Sequence, residues 1–238
     1  MSEVIEHEDV SEDKQETRIV VIGTASYDGK VTAYHAASLS ETIKIGVLNN
    51  INILPVYMSY DALIQRARND LAKLIIDNEN ITDLFFIDAD QDWNPTDFFK
   101  MLDLDVDVVG APVIKKSGPE LYNVKIVTEE FGEVLDNGLI QVDSVGTGMM
   151  RIKRNVIEKL WDISEKYIEV GQEEEKAMIF DIQIKDGQLL SEDVVFCNKW
   201  TDQGGDIYID PLVNGGHTGD NRRIGNFMEW YKLAKNNR

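Results

Sequence analysis

The sequence predicts an α/β fold: a mostly parallel sheet flanked by helices, joined to a smaller mixed β region. Three observations carry this. Short β-branched runs alternate with segments of helical period through the first half. The second half replaces that alternation with short strands and glycine turns. The chain has 238 residues, 43% of them hydrophobic, which suits one large domain with its own core.

The elements follow in order. Arg18–Thr24 (RIVVIGT) reads as a buried strand, and Val31–Asn50 as a helix stopped by Asn49-Asn50. Ile51–Met58 is a second strand, and Pro55 within it points to a sheet edge or an irregularity. Asp61 is the expected cap of a helix in which Leu63, Ala67, Leu71, Leu74 and Ile75 recur at helical spacing through Asn78. Leu84–Ile87 is a short apolar strand that runs into Asp88. Asn94-Pro95 opens a short helix, and Asp107–Gly110 is a fourth strand. Beyond it, Leu121–Val127, Gly132–Leu135 and Leu139–Val142 read as strands, with Asp136-Asn137-Gly138 as a hairpin turn. Met149–Ile152 is another strand, Asn155–Trp161 a helix and Gly171–Lys176 a polar loop. Ser191 caps a helix carrying Val194, Val195, Cys197 and Trp200. Asp206–Ile209 is the last strand, and Ile224–Lys235 the last helix. Residues 1–17 form an acidic tail, and residues 18–238 a single domain with halves at 18–115 and 116–238.

Charge and composition exclude several classes. The net charge is −19, of which the tail, with seven acids and one lysine, holds −6 and the rest −13. A pI near 4.5 argues against a broad nucleic-acid-binding face. The local exceptions are Lys115-Lys116, Arg151-Ile152-Lys153-Arg154 and Arg222-Arg223. One cysteine rules out an internal disulfide framework and fits a reducing compartment. Three histidines and one cysteine cannot build a Cys/His zinc cluster. No apolar run approaches the ~18 residues of a membrane span, and no secretory signal is visible, so a cytoplasmic protein is expected.

The strongest chemical signal is Phe85-Phe86-Ile87-Asp88-Ala89-Asp90-Gln91-Asp92. It sets acids at the carboxyl end of a buried strand, where open α/β sheets bind ligands. Alternate residues past a strand can point the same way, so Asp88 and Asp90 can converge. Converging carboxylates repel unless a cation lies between them, and oxygen ligands suit Mg²⁺ or Mn²⁺. The plainer alternative is a loop of helix-capping acids. An EF-hand is excluded, because its glycine and glutamate positions hold Trp93 and Phe99. A haloacid dehalogenase phosphatase fits poorly. Asp92 stands where that family has Thr or Val, and the motif falls on about the third strand. Gly146-Thr147-Gly148 lacks the third glycine of a dinucleotide fingerprint.

Together these features resemble the GT-A glycosyltransferases, a Rossmann-like family that uses nucleotide-sugar donors. Within it the chain most resembles small bacteriophage-encoded members. The resemblance covers about residues 18–220 and rests on five features in order: Ala67-Arg68-Asn69 before the Asp-x-Asp strand, Asp88-Ala89-Asp90, Gly146-Thr147-Gly148-Met149-Met150, Ser191-Glu192-Asp193-Val194-Val195-Phe196, and His217 in a late loop. It implies Asp90, His217 and Asp88 around a divalent ion, Mn²⁺ or Mg²⁺. It places Thr24, Tyr27, Arg68, Asp88, Ala89 and Gly148 about a nucleotide-sugar, UDP-sugar favoured. It makes Asp193, beside Glu192, the general base of an inverting reaction, or a positioning group in a retaining one. The acceptor would be a hydroxyl on a saccharide, a protein or a hydroxymethylated DNA base. Two other classes stay open. One is nucleotidyl transfer to a sugar phosphate, disfavoured because no basic residue precedes Lys30 in the first loop. The other is a non-catalytic nucleotide-sugar-binding module. Simpler roles also stand beside each residue. Glu192 and Asp193 can serve the helix dipole, Trp93 and Met149-Met150 the core, and Cys197 can be a buried, inert thiol.

Overall fold

The structure, a computed structural model, describes residues 17–126 and 134–236. The acidic tail up to residue 16, Val127 of one expected strand, and the first two residues of the strand expected over Gly132–Leu135 lie outside the described residues. The first half holds β1 (Arg18–Ser26), α1 (Ala33–Leu48), β2 (Ile51–Ser59), α2 (Ile64–Asp77), β3 (Ile81–Ile87), β4 (Gln91–Asp92), α3 (Pro95–Asp103) and β5 (Val108–Gly110). The second half holds β6 (Val124–Ile126), β7 (Ile140–Val145), β8 (Met149–Lys153), α4 (Arg154–Ile163), β9 (Lys166–Ile168), β10 (Glu175–Ala177), β11 (Gln183–Lys185), β12 (Gln188–Leu190), α5 (Glu192–Asp202), β13 (Ile207–Ile209), β14 (Gly216–Thr218), β15 (Arg222–Ile224) and α6 (Phe227–Asn236).

Eight strands make one sheet in the order β2-β1-β3-β8-β5-β13-β7-β6. β1 is parallel to β2 and β3, and β13 to β5, while β8 runs antiparallel between β3 and β5. β7 also opposes its neighbours, so β7 and β8 run against the other six. β2 lies at the edge, as Pro55 requires, because proline has no N–H for a second neighbour.

Alternation along the strands splits the core into two layers. Val20, Ile22, Phe85, Ile87 and Met149 pack with Leu39 of α1 and Phe98 and Met101 of α3. Val21, Leu84, Phe86, Met150 and Ile152 pack with Leu71, Ile157, Phe196 and Phe227, one from each of the other helices. Both methionines and Cys197 are therefore core. Burial pushes the Cys197 thiol up to about 12.

Two expectations need correction. Asp61 does not cap α2. Its carboxylate accepts the Leu63 N–H at 2.8 Å and grips Arg66, so the helix begins later, at Ile64. The Arg151–Arg154 run is no nucleic-acid patch. Arg151 points inward from β8 and is fully buried, donating to the Val106 carbonyl at 2.7 Å and the Met101 carbonyl at 3.2 and 3.3 Å. Arg154 donates to the carbonyls of Ile75, Asn78 and Ile81, closing the C-terminal end of α2. Lys153 sits against Asp105 and Asp107. Among the described residues no helix is long and apolar enough to cross a membrane.

Candidate functional site

The site grows from the turn that follows β3. Apolar β3 stops at Ile87, and the Gln91 N–H donates to the Asp88 carbonyl at 3.0 Å, closing a tight turn. Neighbouring elements hold this turn through its backbone. Asp88 N–H donates to Gly148 O at 3.1 Å, Thr32 N–H to Ala89 O at 3.0 Å, and Thr218 N–H to Asp90 O at 2.9 Å. β4 pairs with β14, which sets His217 opposite Gln91. His35, buried in α1, donates Nδ1–H to the Asp88 carbonyl at 3.1 Å. Burial is the largest influence on His35 and pushes its pKa below 6.5.

The turn sends its two key acids to different partners. Asp88 faces Arg68, only 5% exposed on α2, at 3.5 Å. The same guanidinium contacts the Glu192 carboxylate at the start of α5. Burial pushes the Arg68 pKa down, and Asp88 and Asp193 push it back up. Glu192 is thus the counter-ion of a buried arginine. Asp193 stands beside it, accepts the Val194 N–H at 2.8 Å and lines the same cleft as Asp88.

Asp90 turns instead to His217 and Lys116. Burial raises its carboxyl, but those two groups outweigh burial and hold it below the ordinary value of 3.8. His217 Nδ1 lies 2.7 Å from the Ile114 carbonyl, which can only accept, so Nδ1 carries the proton. The other ring nitrogen, Nε2, lies 3.4 Å from Asp90 Oδ1. A cation between Nε2 and the carboxylate, a proton or a metal ion, satisfies the pair. A second nitrogen tied to a backbone carbonyl is also the usual setting of a metal-binding histidine. Among the described residues, however, no three His, Cys, Asp or Glu side chains are grouped to hold a metal. Asp90 and His217 come together, and Asp88 does not join them. The cause is the tight turn: beyond Ile87 the chain is no longer extended, so residues two apart no longer share a face.

Between the two acid centres lies a cleft of about 190 Å³ lined by Arg68, Asp88, Gln91, Thr147, Asp193 and His217, among others. Gly148 forms part of its wall. A Cβ there would meet Val113 at 3.4 Å and Asp88 Oδ2 at 3.5 Å, so packing alone does not demand glycine. Thr24 and Tyr27 lie outside the lining. Thr24 is buried at the end of β1 with a hydroxyl that lacks a partner, and Tyr27 is 71% exposed just past that end. Ala89 contributes only backbone. Trp93 is buried and donates Nε1–H to Thr42, so it packs rather than stacks on a ligand.

No family model matches the sequence, and no curated protein matches it at a significant level. Solved structures do match. The A197 protein from STIV aligns over 85% of this chain and 86% of its own, with 16% identity and a TM-score of 0.52. The two share a fold. Weaker overlaps, which add nothing to that finding, include a glycosyltransferase involved in glycosylation of the major capsid of PBCV-1 (9% identity, 60% and 63% coverage, TM-score 0.34). Another is a putative glucose-1-phosphate thymidylyltransferase from Bacillus anthracis (9% identity, 92% and 95% coverage, TM-score 0.44).

Sequence reasoning missed His35 and Gln91 altogether. His35 carried no signal, because its role is to hold a carbonyl 53 positions away. Gln91 stood in plain sight between two acids. Lys116 was noted only as half of a basic pair. Two nearby arginines are engaged: Arg222 binds Asp92 at 2.6 and 2.9 Å and lies over Tyr34, while Arg223 donates to the Lys115 carbonyl at 2.8 Å.

Proposed function

We propose that this chain is a glycosyltransferase that moves a sugar from a nucleotide-sugar donor, UDP-sugar favoured, to an acceptor hydroxyl with the help of a divalent ion. One observation carries the reading: Asp90 and His217 face each other, with Nδ1 of the histidine pinned by Ile114 O, at the sheet edge where such folds bind ligands. The donor set suits the ion. Mg²⁺ and Mn²⁺ accept a carboxylate, Mn²⁺ also accepts an imidazole nitrogen, and such ions complete their shells with water and phosphate oxygens. Asp90 and His217 would hold it, with Lys116 withdrawing from Asp90. When bound, the ion supplies positive charge to the leaving diphosphate.

The chain's own residues do the rest. Arg68 holds Asp88 in orientation at the cleft wall, and Glu192 keeps Arg68 in place. Asp193, at the N-terminal end of α5, is the group placed to take the acceptor's proton. Gly148 leaves the wall between Asp88 and Val113 open for the acceptor to approach. A DNA acceptor has lost one of its three supporting patches with the burial of Arg151, so we assign the acceptor only as a hydroxyl.

The test is product identity. Incubation with UDP- and GDP-sugars and Mn²⁺ is expected to release nucleoside diphosphate, slowly where water is the acceptor, and Asp193→Asn is expected to abolish the release. Pyrophosphate released from a nucleoside triphosphate and a sugar phosphate would instead make the chain a nucleotidyltransferase.

A further inference from the structure

The Gln91 side chain has no partner in the fold. It is 2% exposed, and neither its amide nitrogen nor its amide oxygen has a hydrogen-bond partner. Thr147, also 2% exposed, has an unpartnered hydroxyl. Both residues line the cleft between Asp88 and His217. Buried polar groups in folded proteins are almost always satisfied, because an unmade hydrogen bond carries the full desolvation cost. Two such groups on one small cleft point to a ligand that supplies the missing partners.

The chemistry narrows that ligand. The Gln91 amide offers two donors and an acceptor, and the Thr147 hydroxyl one donor with acceptor capacity. Hydroxyls, which both donate and accept, complement this set. The cleft's charged lining is balanced: Arg68 and Lys115 stand against Asp88 and Asp193. An anionic group gains nothing there. At about 190 Å³ the cleft is smaller than the ~300–1,000 Å³ of drug-sized sites and suits a single ring.

We propose that Gln91 and Thr147 read the hydroxyls of an uncharged transferred sugar and set which sugar the enzyme accepts. This rests on the glycosyl-transfer reading and adds the sugar class and the residues that select it. A site built to hydrogen-bond hydroxyls rejects analogues that lack them, because its own buried groups then stay unpaired.

The test uses the full chain with Mn²⁺, titrated calorimetrically with UDP, GDP and their glucose, galactose, mannose, N-acetylglucosamine and glucuronic acid conjugates. Wild type, Gln91→Met and Thr147→Val are compared, and each is melted without ligand. A neutral sugar conjugate is expected to bind best. Each variant is expected to weaken that conjugate about tenfold while leaving the free nucleoside diphosphate unchanged. Gln91→Met is also expected to raise the ligand-free Tm by about 2–4 °C, because an unpaired buried amide is gone. Preference for the glucuronic acid conjugate overturns the proposal. So does equal weakening of conjugate and free diphosphate, or a Tm that falls, since either makes these residues structural. Unchanged conjugate binding in both variants defeats this inference alone. No binding of any diphosphate to wild type defeats the donor reading, and this inference with it.

Discussion

Asp88 and Asp90 are separated by one residue, yet they belong to different kinds of place. Asp88 joins a closed network. Its partner Arg68 is buried, shared with Glu192, and roofed by the Phe86 ring at 5.9 Å. Asp90 joins an open one. Its partners are the half-exposed Lys116, which can swing away, and a histidine whose free nitrogen lacks a hydrogen-bond partner. The closed side has its counter-charges built in and acts as framework. The open side can exchange its counter-charge for a ligand's. One motif thus divides its labour, and the fold does this by ending the strand abruptly and turning.

The largest effect should come from breaking the closed side. Arg68→Met strands Glu192 and Asp88 near a buried position, and removing one partner of a buried pair costs about 3–5 kcal/mol. A denaturant melt should show it, and Glu192→Leu in the same chain should recover part of the loss. Equal stability of Arg68→Met and wild type would dissolve the distinction between the two sides. Asp90→Asn should behave oppositely. Stability should change by no more than about 1 kcal/mol, because its lysine partner is half-exposed, while Mn²⁺-dependent donor binding should disappear.

Lys116→Met should free the open side of its built-in charge. With no ammonium competing for Asp90, Mn²⁺ affinity should rise several-fold in a titration, with little change in melting. Weaker Mn²⁺ binding would instead make Lys116 part of the ligand site. The smallest effect concerns pH. Burial holds the folded pKa of His35 below 6.5, so the unfolded chain takes up its proton first. Stability is complete above about pH 6.5 and declines as pH falls toward the folded value, with a slope of at most about 1.4 kcal/mol per pH unit. His35→Gln should remove that slope, and an unchanged slope would assign it to another group.

Much of the fold was legible because it is written in apolar alternation. RIVVIGT, INILPVYM and LFFI each form the expected strand, and Pro55 lies on an edge strand, one of the two settings expected for it. The small sheet β15-β14-β4 was not legible. Its strands are two or three residues long and include glycine, histidine and arginine, and its pairing joins positions more than a hundred residues apart. That sheet carries His217 to Asp90, so the geometry of the site was hidden with it. Arg151 misled for a related reason. In Met149-Met150-Arg151-Ile152 the arginine occupies an inward strand position, but charge invites a surface reading unless the carbonyls that receive it are known. The convergence expected of Asp88 and Asp90 needs an extended chain, which the turn closed at Gln91 does not provide.

On the proposed function, a divalent ion completes the Asp90–His217 pair as a donor site. The most direct measurement is calorimetric titration of UDP and GDP into wild type, Asp90→Asn and His217→Ala, with and without Mn²⁺. Saturable binding of one diphosphate that needs Mn²⁺ and is lost in both variants is the predicted result. Binding that is equally strong without metal, or that survives both substitutions, would contradict it.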